Sequence, residues 1–218
     1  MTIWAIPKLW PGETVAIIAG GPSVNQALAD SVRQHKRIVV NHAYMLAPDA
    51  DMLLALDSDP AFFAQAFEAG FAGLMLCGGV FELPGVHYIG QRFERIVLGV
   101  NHIIETRNSG LTAIRIAAEA GAAKILLLGF DPERHGHFEG YADPAGQSTG
   151  PEPYQGMTAG LAAIIAELRA KGIEVERTTG AWRIANAGEA LAPLPDSAYP
   201  PDASPFDPEP LFRSRKRR

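Results

Sequence analysis

The stretch Thr14-Val15-Ala16-Ile17-Ile18-Ala19-Gly20-Gly21-Pro22-Ser23-Val24 decides how this chain reads, because an apolar run stops at a Gly-Gly-Pro-Ser bend and a helix-like segment follows. In a strand–bend–helix unit, glycines let backbone N–H groups approach a ligand. Ser23 is placed to cap the next helix, whose positive end would face that ligand. The bend is therefore a candidate anion site, of the shape that a diphosphate or nucleotide phosphate fills. Its plain alternative is a connection in an ordinary α/β sheet. No Gly-Lys-Ser/Thr follows, which excludes a Walker A loop, and the glycines do not follow the G-x-G-x-x-G pattern of dinucleotide-binding enzymes.

Outward from this stretch, short β-rich runs alternate with helical patterns. Thr14–Ile18, Arg37–Asn41, Met52–Leu56, Gly73–Leu76, Val86–Ile89, Lys124–Leu128 and Ile173–Thr178 are predicted strands; Val24–Gln34, Pro60–Ala69, Ser109–Ala120 and Tyr154–Lys171 are predicted helices. Runs such as Ile125-Leu126-Leu127-Leu128 are apolar at every position, as expected when helices cover both faces of a parallel sheet. The expected fold is α/β: a Rossmann-like, mostly parallel sheet with helices on both faces, forming one nucleotide-binding domain over residues 1–190. A long loop at 130–153 interrupts the pattern, its Pro132–Pro153 stretch rich in Gly, Pro, His and acidic residues. A loop of that length after a strand is more often functional than a connector. Residues 191–218 hold seven of the 17 prolines and end Arg213-Ser214-Arg215-Lys216-Arg217-Arg218, so an extended tail is expected there.

Of the 218 residues 47% are hydrophobic, enough for one substantial core, and the net charge of −5 argues against a general electrostatic grip on nucleic acid. Only the basic C-terminus offers a weak nucleic-acid contact, against its plain alternative of a solvated end. Cys77, the one cysteine, follows Leu74-Met75-Leu76 and reads as core. No signal-peptide pattern and no membrane-length apolar run are present, so a cytoplasmic location is the default expectation.

Polar candidates fall at the carboxyl ends of predicted strands: Gly20, Gly21, Pro22 and Ser23; Asn41; Asp57 and Asp59; Asn108, Ser109 and Gly110 at a helix start; Asp131. In a parallel sheet these points share one edge, where ligands bind. Asn41 suits a base edge, ribose or phosphate, and equally suits a turn. Asp57 is a candidate Mg²⁺ ligand, whereas Asp59 before Pro60 reads as a helix cap. Asn108-Ser109-Gly110 repeats the logic of the first bend, with Ser109 as expected cap and Arg107 beside it as a cation for phosphate. The segment from Asp131 to Asp143 carries His135 and His137 among carboxylates, suited to proton transfer or to metal binding. Neither Ser23 nor Ser109 sits in a G-x-S-x-G elbow.

The series Ala19-Gly20-Gly21-Pro22-Ser23, Val39-Val40-Asn41, Asn108-Ser109-Gly110 and Leu127-Leu128-Gly129-Phe130-Asp131 resembles the ordered landmarks of the bacterial sialyltransferases of glycosyltransferase family 42. It also resembles the motility-associated-factor glycosyltransferases, the archaeal hydroxymethylpterin pyrophosphokinases and a group of small phage-encoded proteins. The resemblance implies a nucleotide-sugar donor such as a CMP-sugar, with Gly21, Pro22 and Ser23 near the phosphate, Asn41 near the nucleotide and Asp131 on the nucleoside side. Asn108, Ser109 and Gly110 would line the donor site. Where those sialyltransferases carry a basic histidine before the last long helix, this chain has Pro153-Tyr154-Gln155. Tyr154 then becomes a phosphate contact, and the candidate catalytic residues are His135, His137 and Asp131. The expected activity is glycosyltransferase-like. Its alternatives are Mg²⁺-dependent phosphoryl or diphosphoryl transfer to a pterin or modified-base alcohol, with Asp57 and Asp131 holding the ion, and nucleotide binding without turnover.

Overall fold

The apolar runs assemble into a seven-stranded parallel sheet. The computed structural model describes residues 4–79, 81–89, 91–92, 95–98, 102–104, 108–131, 137–139, 141 and 151–178. Its strands are β1 (Thr14–Ile18), β2 (Lys36–Val40), β3 (Met52–Ala55), β4 (Leu74–Cys77), β5 (Val86–Tyr88), β6 (Gln91–Arg92), β7 (Arg95–Leu98), β8 (His102–Ile104), β9 (Lys124–Leu128) and β10 (Glu174–Arg177). Its α-helices are α1 (Gln26–Ser31), α2 (Pro60–Glu68), α3 (Ser109–Glu119) and α4 (Pro151–Ala170), and a 3-10 helix, Asn41–Met45, follows β2. The main sheet runs β10-β9-β1-β2-β3-β4-β5 with every pair parallel. This is the α/β, Rossmann-like architecture expected from the sequence.

Side chains alternate between two cores. Val15, Ile17, Ile38 and Ile125 pack under α3 and α4, while Ala16, Ile18, Val39 and Leu126 pack under α1, the 3-10 helix and α2. Burying an Ile or Leu this fully is worth roughly 1.5–3 kcal/mol, and helices on both faces explain why the central strands are apolar throughout.

Several boundaries differ from expectation for local reasons. Helix α1 is shorter than Val24–Gln34, and its cap is Asn25, whose Oδ1 accepts the Leu28 N–H at 2.9 Å. Ser23 is not the cap. Likewise Asn108, not Ser109, caps α3: its Oδ1 accepts the Leu111 N–H at 3.0 Å, and Ser109 is the first helical residue. Asp59 does cap α2 as expected, accepting the Phe62 N–H at 3.0 Å with Pro60 in the first turn. Helix α4 begins at Pro151, so the last part of the expected loop is helical. Strands β6, β7 and β8 form a separate antiparallel sheet where no element is predicted. They are two, four and three residues long, too short for alternation to be read. Among the described residues no helix is long and apolar enough to cross a membrane. The expected tail, 191–218, lies outside the described residues.

Helix α3 packs across β9, β1, β2 and β3 and against α4. Gly160 lets α4 come close, since a Cβ there would stand 2.8 Å from Leu111 Cδ1. Glu167 of α4 pairs with Arg115 of α3 and accepts from Lys171 at 2.6 Å. The Arg115 hydrogen bond, then that of Lys171, pulls the Glu167 carboxyl down to about 2 from 4.5. A depressed carboxyl contributes stability above its unfolded value and loses it as pH falls toward its folded one. With Glu167 more than a third exposed, the contribution is small. The gap in urea midpoint between wild type and Glu167→Gln should therefore be full at pH 7 and narrow from about pH 4.5 toward pH 2. A gap independent of pH would contradict the pairing.

Candidate functional site

In the sheet order the chain steps outward from β1 to β5 and then returns to place β9 on the other side of β1. The crevice beyond the carboxyl ends of β1 and β9 is thus the topological switch point, where open α/β sheets bind ligands. Both sequence landmarks end there. Three bonds join the segments: Ala19 N–H to Leu128 O at 2.8 Å, Gly21 N–H to Gly129 O at 3.0 Å, and Ser23 N–H to Asp131 Oδ2 at 2.8 Å. The last has the length of a charge-assisted bond.

This geometry revises the reading of the first bend. A Cβ on residue 21 would lie 2.4 Å from Gly129 O and 2.5 Å from Asp131 Oδ2. Gly129, at φ +70°, would set a Cβ 2.5 Å from Ala19 O. Gly21 and Gly129 are required by the mutual approach of two backbones. One amide of the bend, that of Ser23, is taken by the side chain of Asp131.

Ser23 is 3% exposed and Asp131 4%. Among the described residues, Ser23 Oγ and Asp131 Oδ1 have no hydrogen-bond partner. Burying such atoms costs free energy, and they call for an explanation in a native fold.

The start of α3 reaches the same edge. Ser109 Oγ accepts the Leu56 N–H, just past β3, at 3.3 Å. Gly110 faces the Phe130 ring, which a Cβ would approach to 3.0 Å. Ser23 and Ser109 therefore stand on one rim. Asn108 takes the Leu111 amide, and helix geometry leaves the amides of Ser109 and Gly110 without intrahelical acceptors.

Asn41, exposed at the end of β2, adopts φ +52°, a left-handed conformation that Asn tolerates better than most residues, so its turn role is real. Beside it His42 stacks on Tyr141 with ring centroids 4.5 Å apart. His137 meets Tyr141 edge-on at 5.1 Å. Phe138 is buried and donates its N–H to Gly20 O at 3.2 Å, so this part of the loop after β9 folds back over the first bend. His137 is exposed, and a Cβ on Gly20 would stand 3.7 Å from its Nδ1. Burial raises the Tyr44 phenol above its usual value and pushes the Cys77 thiol up to about 11, which makes Cys77 a poor nucleophile.

Asp57 is exposed after β3. β3 is three strands from β9, so at the usual interstrand spacing the strands leading to Asp57 and Asp131 end about 14 Å apart. Two carboxylates sharing one Mg²⁺ need oxygens within roughly 4 Å of each other, so this geometry gives no support to that pairing. Among the described residues no three His, Cys, Asp or Glu side chains are grouped to hold a metal ion. His135 and Arg107 lie outside the described residues, as does most of the 130–153 loop, and Tyr154 is placed only as a first-turn residue of α4.

Two features were missed by reading the sequence. Arg177 ends β10 and donates its Nε–H to Phe130 O at 2.7 Å, and the strand-end rule applied to β10 would have found it. The His42–Tyr141 stack joins residues 99 apart, and no local pattern announces it. No protein-family model matches the chain, and no curated protein sequence matches it.

Replacing Asp131 by Ala would leave the Ser23 N–H buried and unbonded, a cost of about 1–3 kcal/mol. Asp131→Asn keeps an acceptor and should lose less in urea denaturation. Equal losses would contradict the bond.

Proposed function

We propose that this chain binds a nucleotide-linked donor at the carboxyl edge of its sheet and acts on it as a glycosyltransferase-like enzyme. One observation carries this reading: at the switch point, Ser23 Oγ and Asp131 Oδ1 are buried and unpartnered among the described residues. A ligand at this edge would complete their hydrogen bonds.

The charges orient the ligand. Phosphate is repelled by Asp131 and drawn to the Ser109 and Gly110 amides at the positive end of α3, an 11-residue helix. The nucleoside, rich in O–H and N–H donors, turns to Asp131, with Asn41 on the neighbouring β2 segment. Tyr154, in the first turn of α4, is a further phosphate contact. During transfer, the bond between the anomeric carbon and the phosphate oxygen breaks and negative charge grows on the leaving group, where the start of α3 stabilises it. His137, exposed beside Gly20, takes the proton of the acceptor hydroxyl as the new C–O bond forms.

Thermal shift of the purified protein against CMP, UDP, GDP and ATP derivatives tests this. A ligand at a hundred times its Kd adds about 2.7 kcal/mol of stability. One nucleotide class should raise the Tm, with or without EDTA, and Asn41→Ala should weaken its binding about tenfold or more. No shift with any nucleotide would overturn the proposal, and binding abolished by EDTA would favour metal-dependent phosphoryl transfer instead.

A further inference from the structure

We infer that Ser23 and Asp131 form a receptor for a vicinal diol, that of the nucleotide's ribose, so that the site reads the sugar. The inference rests on the nucleotide-binding reading above. Its ground is the chemistry of the two orphaned atoms. Ionised, Asp131 Oδ1 only accepts hydrogen bonds, whereas Ser23 Oγ both donates and accepts. They are neighbours, since the Ser23 amide lies 2.8 Å from the other oxygen of the same carboxylate. A ligand completing both must bring an O–H or N–H to Oδ1 and, next to it, a group that can give or take a proton from a hydroxyl. Two adjacent hydroxyls meet both demands.

A base edge offers a similar pair, but the surroundings favour the sugar. Asp131 is only 4% exposed, beneath the closely apposed bends at Gly21 and Gly129. The flat groups on which a base would stack, His42 and Tyr141, stand beside the end of β2. The edge thus carries aromatic rings at β2, a carboxylate and hydroxyl between β1 and β9, and amides without intrahelical acceptors at the start of α3.

A site built to bond a substrate hydroxyl leaves its own polar groups unpaired when that hydroxyl is missing, and so rejects the deoxy analogue. The test is calorimetry with CMP, UMP, GMP and AMP against their 2′-deoxy and 3′-deoxy counterparts, in which ribose is the only diol present. Loss of one hydroxyl bonded to a carboxylate should weaken binding by about 10- to 100-fold. In Asp131→Asn and Ser23→Ala, each first checked for folding by circular dichroism, that ratio should shrink. Equal binding of ribo and deoxy forms by the wild-type chain would overturn the inference while leaving nucleotide binding standing. A ribose preference that both variants retain would also overturn it, and no binding of any nucleotide would overturn both readings.

Discussion

The hydrogen bond from the Ser23 amide to Asp131 joins residues 108 positions apart and holds together the two bends on which the carboxyl edge is built. It requires a residue without a Cβ at 21, a left-handed residue at 129 and a short side chain with an acceptor oxygen at 131. Each of those demands traces to the same narrow gap between backbones. The side chain of Asp131 thereby takes the Ser23 amide of the first bend.

The other features of the edge follow from that choice. The start of α3 offers further backbone donors at this edge; Ser109 ties it to the end of β3 and Phe130 supports it from the end of β9. The residues after β9 turn back over the bend through Phe138 and carry His137 with them. Polar groups from the ends of β1, β3 and β9 and from the start of α3 are thereby brought to one rim.

Much of this was readable in the sequence, and the misses have physical causes. Strands β1 and β9 end where their apolar runs end, because both faces are covered and every position is buried. The convergence of Gly20–Ser23, Asn41, Ser109 and Asp131 on one edge follows from parallel strands alone. Which neighbour a polar side chain serves was not readable. Ser23 and Asn25 are both good caps, and the helix starts at Gln26, which puts Asn25 and not Ser23 at the capping position, three residues before the Leu28 amide. The glycine at 21 carries the same pattern whether a phosphate or another backbone approaches, and only the three-dimensional structure shows its close contact with Gly129.

The most direct measurement is amide hydrogen exchange of the uniformly ¹⁵N-labelled protein, resolved at Gly21 and Ser23. Both amides are bonded across the bends and should exchange as slowly as the strand amide of Ile17, with Ser23 becoming fast in Asp131→Ala. Exchange of Ser23 at the rate of an open loop in the wild-type chain would contradict the clasp.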